Sequence, residues 1–282
     1  MAAPVVVGYQ GEPGAYGEEA VLRHFARQGV EVQAVGHPTF ADTFAAFAAG
    51  ACEMALVPVE NSYAGSVHEV YDLLLETPGA VVVAEAILPV HHCLMAPPGV
   101  ALADVRQARS HPQALAQCAP FLRAHGIAAV TAADTAGAAR EVAEGRLPGV
   151  AAVAGRGAAR RYGLQILAEN VEAAHDNQTR FLLLGRRPAR AASRTKTSVV
   201  LWAAHTPGSL ARCLSALAEC GLNLTKIESR PSRQESWEYV FYLDFDGHAD
   251  GAAGQRAMHA LAERADRVRL LGSYPAARGP LE

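Results

Sequence analysis

Over its first 187 residues the chain alternates short apolar runs with Ala- or Leu-rich amphipathic segments, and beyond residue 195 another rhythm replaces that one. Val5–Gly8, Val30–Val35, Met54–Val59, Val81–Ile87, Ala108–Ser110, Ala128–Thr131, Val150–Ala154 and Phe181–Gly185 have the length and composition of strands. Strands that take turns with helices build sheets layered by helices, so this region is predicted to be α/β. Pro188–Thr195 has no apolar periodicity. After it come strand Thr197–Ala203, helix Ser209–Cys220, strands Leu222–Arg230 and Trp237–Phe245, helix Ala252–Arg264 and strand Val268–Tyr274. That order, βαββαβ, is a ferredoxin-like unit.

With 282 residues, half of them hydrophobic, the chain has room for two or three domains. A net charge of −3 offers no basic surface, so no nucleic-acid partner is expected. No apolar run approaches the ~20 residues that span a bilayer. The start, Met-Ala-Ala-Pro-Val-Val-Val, lacks the basic segment of a secretory signal. The expectation is therefore a cytoplasmic protein with no membrane partner. Five scattered cysteines without a CxxC pair fit reduced thiols.

Polar clusters stand at the ends of several apolar runs. Glu60, Asn61 and Ser62 follow Met-Ala-Leu-Val-Pro-Val, and open α/β sheets hold ligands beyond the carboxyl ends of their strands. Ser66-x-x-Glu69 then has the form of a capping box, which puts the triad near a helix start that favours anions. Ser110-His111-Pro112-Gln113 repeats the pattern, with Ser110 as cap, Gln113 reaching back, and Gln117 on the same helix face. Asn177-Gln178-Thr179-Arg180-Phe181 opens the last strand of the region, and alternation puts Thr179 and Phe181 on one face with Arg180 on the other. Each cluster also has a plain structural reading, as a polar loop, a capped helix or a strand start.

The glycine-rich stretch Gly8–Gly17 lacks the GxGxxG spacing of a dinucleotide site and is read as a backbone-lined anion site around Ala15. On a strand only His91 and Cys93 of His91-His92-Cys93 share a face, and no third ligand is evident, so packing is preferred to a metal site. Asp134 is placed to cap the helix that Thr135 begins.

Val-Pro-Val-Glu-Asn-Ser-Tyr-Ala-Gly-Ser at 57–66, Ser-His-Pro-Gln at 110–113 and Asn-Gln-Thr-Arg-Phe at 177–181 together resemble the motifs of the prephenate dehydratase family. The resemblance runs from about Gly8 to Tyr274. It implies a catalytic region, 1–187, of two α/β lobes around a cleft, similar to type II periplasmic binding proteins. Lobe one is about 1–80 plus 170–187, and lobe two about 81–169. A linker at 188–195, an ACT regulatory domain at 196–275 and a tail at 276–282 complete the division. The resemblance makes Thr179 the essential catalytic threonine, with Glu60, Asn61, Ser110 and Gln117 as further catalytic residues. Ala15, Ser62, Gln113, Thr135, Arg180 and Phe181 become substrate contacts. Pro207, Gly208, Ser209, Leu210, Asn223, Leu224 and Glu228 become an allosteric phenylalanine site. Two departures stand out. The commonest family pattern has hydroxyl residues near Ala15 and Gly17, where this chain is similar to plant arogenate dehydratases, and it has Gly-Ala-Leu where this chain has Gly208-Ser209-Leu210.

The implied reaction converts prephenate to phenylpyruvate. Prephenate is a cyclohexadiene with a ring carboxylate, a pyruvyl side chain and a C4 hydroxyl, and loss of CO₂ and water makes the ring aromatic. The departing hydroxyl is the electron sink, so no cofactor and no metal are implied. The enzyme has to hold two carboxylates and help the hydroxyl leave. Arogenate dehydratase, in which an amino group replaces the side-chain keto oxygen, is the alternative enzyme. A ligand-sensing protein on the same lobes is the alternative from another class. L-phenylalanine is the implied effector. A βαββαβ sheet with one face left by its helices, and with open edges, points to a homodimer or homotetramer.

Overall fold

A computed structural model of the chain describes residues 3–145, 147–189, 192–232 and 239–281. Its first elements are β1 (Val5–Gln10), α1 (Tyr16–Ala26), β2 (Val32–His37), α2 (Phe40–Ala49), β3 (Met54–Asn61), β4 (Gly65–Ser66), α3 (His68–Glu76) and β5 (Val81–Pro89). The chain then builds β6 (Cys93–Ala96), β7 (Gln107–Ser110), α4 (Pro112–Ala124), β8 (Ala128–Thr131), α5 (Thr135–Gly145), β9 (Val150–Ala154), α6 (Arg156–Tyr162) and β10 (Gln165–Ala168), and returns as β11 (Gln178–Gly185). The first sheet has the order β2-β1-β3-β11-β5, with β4 on β3, and the second β10-β6-β9-β7-β8. The chain passes between the sheets twice, after β5 and before β11. The two crossings run side by side, with Val90 N–H on Asn177 O at 2.8 Å and Val171 N–H on His92 O at 3.0 Å.

Every residue of β9 is buried, because both faces of the second sheet are covered. Leu115 and Leu122 of α4 pack with Leu94, Ala108 and Val153 on one face. The other face meets Ala136 and Ala139 of α5 and Ala158 of α6, whose small side chains allow close approach. Strands β6 and β10, absent from the sequence expectations, are antiparallel partners. Cys-Leu-Met-Ala has no β-branched residue to mark it as a strand.

The C-terminal elements are β12 (Thr195–Trp202), α7 (Ser209–Glu219), β13 (Leu224–Pro231), β14 (Tyr239–Asp246), α8 (Ala252–Arg264) and β15 (Arg267–Pro275). Their sheet is antiparallel throughout, in the order β13-β14-β12-β15 of a ferredoxin-like unit. The expected strand start at Trp237, and residues 190 and 191 of the expected linker, lie outside the described residues.

By internal contacts the chain divides into two units. Residues 1–65, 86–181 and 279–282 form one, and residues 66–85 and 182–278 the other. The second unit therefore holds α3 and the start of β5 as well as the ferredoxin-like elements. Helices α7 and α8 cover the sheet face carrying Val199, Leu201, Leu243 and Phe245. Residues 66–85 cover the other face. The Tyr242 hydroxyl donates to Tyr71 O at 2.6 Å. Arg230 reaches Asp72 with two bonds of 3.1 and 2.9 Å, and Lys196 reaches both Glu85 oxygens at 3.1 Å. A Cβ on Gly272 would stand 2.2 Å from Val82 O, so only glycine lets the strands meet there. The expectation that this face stays open for self-association is thereby corrected.

Both expected capping boxes are corrected too. Ser66 is held by β4 and bonds to Glu228 and to Lys226 Nζ, so α3 begins at His68 with Val67 at its N-cap and no side-chain cap. Charged partners outcompete a neutral cap. Ser110 sits inside the second sheet, fully buried, and donates to Val153 O at 2.6 Å. The cap of α4 passes to His111, whose Nδ1 accepts from Gln113 N–H at 3.3 Å.

Candidate active site

The end of β3 and the start of β11 lie together, and Asn61 joins them. Its Oδ1 accepts from the N–H groups of Tyr63 and Ala64 at 3.1 and 2.9 Å. Its Nδ2 donates to Asn177 Oδ1 at 2.7 Å, Thr179 Oγ1 at 3.0 Å and Gln178 O at 3.2 Å. Asn61 is thus consumed by protein partners and acts as a clamp. Because Thr179 accepts from an amide, its own hydroxyl proton is left to donate, and among the described residues no protein acceptor takes it. Ser62 completes the junction by accepting from Gln178 N–H at 3.0 Å.

The network continues through Asn177, whose Nδ2 donates to Gln117 Oε1 at 2.9 Å. The same oxygen lies 2.9 Å from His92 Nε2, and His92 Nδ1 lies 2.8 Å from the Tyr16 hydroxyl. Asn177 and His92 are 2 % and 3 % exposed, so these polar groups depend on one another for satisfaction. Glu172, also buried, accepts from His92 N–H at 2.8 Å and pairs with His91 Nδ1 at 2.9 Å. Burial pushes His92 below the ordinary histidine value. A cavity of about 340 Å³ opens beside Gln117 and Asn177, walled by Tyr63, Pro120, Arg123 and Ala174.

Sequence reasoning picked out Thr179, Asn61, Ser62 and Gln117, which the structure brings into one network. It missed Tyr16, Glu172 and Asn177, and assigned His92 to packing. Buried polar residues at the crossings were the signal, and burial is not legible in one chain. Ser110 is committed to the sheet, Gln113 is exposed and Phe181 is 3 % exposed, in the core. Glu60 is half-buried one residue before the end of β3, and Arg180 is half-buried one residue beyond Thr179. Thr135 begins α5, which Asp134 caps by accepting from Gly137 N–H at 2.7 Å. The turn before Ala15 is closed from within, since Gly14 N–H donates to Glu18 at 2.6 Å and Gly11 N–H to His37 O at 2.8 Å. A Cβ on Gly14 would lie 2.8 Å from Ala158 Cα, so its glycine serves contact with α6. Both nitrogens of His92 are engaged by protein groups, and among the described residues no group of three or more His, Cys, Asp or Glu is placed to hold a metal ion.

In the second unit, a cavity of about 420 Å³ is lined by residues 203–211 with Tyr239 and Phe241. Pro207, Gly208, Ser209 and Leu210 lie there, at the start of α7. Asn223 instead bonds Asp246 at 3.2 Å, Leu224 packs with the helix-side core, and Glu228 bonds Ser66.

Three neutral amides, a threonine hydroxyl and a buried histidine at a junction of two sheets define a site built to orient and hydrogen-bond a polar small molecule. Comparisons with known proteins show the family. Residues 7–189 match the family model for prephenate dehydratase, and residues 197–263 that for the ACT domain. Arogenate dehydratase/prephenate dehydratase 2, chloroplastic, of Arabidopsis thaliana is 40% identical over 282 residues, spanning 96% of this chain and 73% of that protein. The structure of prephenate dehydratase in complex with L-Phe from Arthrobacter aurescens superposes with a TM-score of 0.87 at 30% identity, covering 96% of this chain and 90% of that one. GqqA, described as a novel type of quorum quenching acylase, also gives a TM-score of 0.87, at 37% identity, covering 97% and 98%. The chain belongs to the prephenate dehydratase family and carries a C-terminal ACT domain.

Proposed function

We propose that this chain converts prephenate to phenylpyruvate at the Thr179 junction. The observation that carries the chemical reading is the Asn61–Thr179 bond, which directs the threonine's proton outward. In the reaction the bond between the ring and its carboxylate breaks, releasing CO₂. The electron pair moves through the ring and expels the C4 oxygen, which leaves as water with one proton taken up. Thr179 donates a hydrogen bond to that departing oxygen. An amide that donates to the threonine strengthens it as a donor. Gln117 offers its amide nitrogen to a carboxylate or carbonyl, and Arg180 is assigned to the surviving carboxylate. Orientation and matched donors supply the acceleration.

Acylase chemistry fits this geometry less well. A nucleophile needs a base to take its proton, whereas Thr179 faces an amide donor. The experiment is to incubate the purified chain with prephenate and, separately, with arogenate. Phenylpyruvate from the first is expected. Phenylalanine from the second alone makes the chain an arogenate dehydratase, and no product from either overturns the reading.

Residues 1–187 are assigned the chemistry and residues 196–275 the regulation, a division supported by the two family matches. The cavity at the start of α7 suits L-phenylalanine, with its carboxylate at the helix N-terminus and its ring against apolar walls. Gly208→Ala strains a turn held at φ 79°. It is expected to weaken graded inhibition by phenylalanine, a coupling of ~1–3 kcal/mol, without slowing uninhibited turnover. A homodimer or homotetramer is supported by the edge strands β13 and β15, which leave Ile227 and Leu270 43% and 45% exposed. Among the described residues no helix is long and apolar enough to cross a membrane, which supports the cytoplasmic assignment as far as helical spans go.

A further inference from the structure

We propose that His92 is a positioning residue for Gln117, its Nε2–H holding the Gln117 oxygen so that the Gln117 amide nitrogen turns toward substrate. The proposal rests on the dehydratase reading of the site. Two backbone groups set the direction of the bonds from Asn61 to His92 Nε2. The N–H groups of Tyr63 and Ala64 can only donate, so the Asn61 atom they reach, at 3.1 and 2.9 Å, is its oxygen. Asn61 Nδ2 then faces Asn177, whose nearer atom, 2.7 Å away, has to be Oδ1. Asn177 Nδ2 consequently points at Gln117, and the Gln117 atom it meets at 2.9 Å has to be Oε1.

That oxygen lies 2.9 Å from His92 Nε2. Two bare acceptors at this distance repel, so Nε2 carries a hydrogen. Burial favours the neutral ring, and a neutral ring with a hydrogen on Nε2 has a bare Nδ1. The Tyr16 hydroxyl stands 2.8 Å from it and also 2.8 Å from the His91 carbonyl oxygen, to which it donates, so Tyr16 does not fix the state of Nδ1. The ionisable groups around the ring are Tyr16, His91 and Glu172, and Glu172 is occupied by His92 N–H and His91 Nδ1. With Oε1 holding two donors, the Gln117 amide nitrogen keeps both hydrogens for a ligand. Among the described residues no protein acceptor meets it. Lose the hydrogen on His92 Nε2, and Asn177 Nδ2 alone holds the Gln117 oxygen, so the amide is held less firmly in the orientation that offers its nitrogen to a carboxylate.

The first test reads the tautomer directly. In ¹⁵N-resolved NMR of the full-length chain near neutral pH, His92 is expected to carry a hydrogen on Nε2, and a bare Nε2 overturns the proposal whatever the enzyme turns over. The second reads turnover. His92→Leu is expected to lower kcat ~10- to 100-fold, no more than Gln117→Ala, since one donor of this kind is worth at most ~10³. The double variant should lose no more than Gln117→Ala alone, whereas multiplied losses refute action through Gln117. His92→Gln, which returns an N–H near the Nε2 position, should recover most of the loss. If neither prephenate nor arogenate is turned over, the dehydratase reading fails while the tautomer result still decides the role of His92.

Discussion

The two units hold their interiors together with different kinds of bond. Around Thr179 the linked groups are neutral, with Asn61 donating to Thr179 and Asn177, and Asn177 and His92 both donating to the Gln117 oxygen. Across the second face of the ferredoxin-like sheet the groups are charged, with Arg230 on Asp72, Lys196 on Glu85 and Lys226 beside Glu228. Neutral amides have fixed donor and acceptor ends, so they dictate orientation, and they leave no fixed charge to compete with a substrate that brings two carboxylates. Ion pairs are stronger and less particular about direction, which suits joining one segment to a sheet. The first arrangement stores direction, and the second stores adhesion.

The largest expected effect breaks the first arrangement alone. Thr179→Ala is expected to lower kcat at least ~100-fold with an unchanged melting curve, the scale of one proton-transfer or preorganised contact. Near-normal turnover in the folded variant removes Thr179 from the mechanism. Gly272→Ala breaks the second by forcing a Cβ into Val82 O, and should cost ~2 kcal/mol or more in denaturant unfolding. Arg230→Met removes a bidentate pair whose side chains are 21% and 14% exposed. A loss of ~1–2 kcal/mol is expected, lying between exposed and buried pairs. The contrast sharpens in ~1 M NaCl, where the difference between Arg230→Met and the parent should shrink while that between Asn177→Leu and the parent should not.

The smallest effect follows from the histidines. Burial holds His92, and likewise His24, below the ordinary value. The folded chain then binds fewer protons than the unfolded one, so the stability these groups confer is whole above about pH 6.5 and is lost as pH falls through their folded values. Melting temperatures taken from about pH 7.5 down to about pH 5 should fall, and His24→Asn should flatten part of that slope.

Much of the α/β and βαββαβ rhythm was legible because alternation and amphipathic period are local properties. The boundaries of β8 and β9 agree with those read from sequence, and those of most other strands shift by a few residues. Ser66 and Ser110 show where local reading stops. Each sits where a cap belongs, yet tertiary partners three or more elements away claim its hydroxyl. The motifs around Asn61 and Thr179 were legible as motifs, but the bond joining them spans 118 positions. Asn177 and His92 stayed hidden because their importance lies in being buried.

Residues 66–85 carry a consequence for how this protein can be divided. They belong to the stretch matched by the dehydratase family, yet they fold as the second layer of the ACT sheet. The unit that is inherited and the unit that folds are therefore different. A fragment cut at the linker would expose Tyr71 and Val82 and strand the carboxylates of Asp72 and Glu85 without their cations. Grafting a foreign ACT domain in place of the native one would succeed only if it brought its own counterparts to Arg230, Lys196, Tyr242 and Gly272.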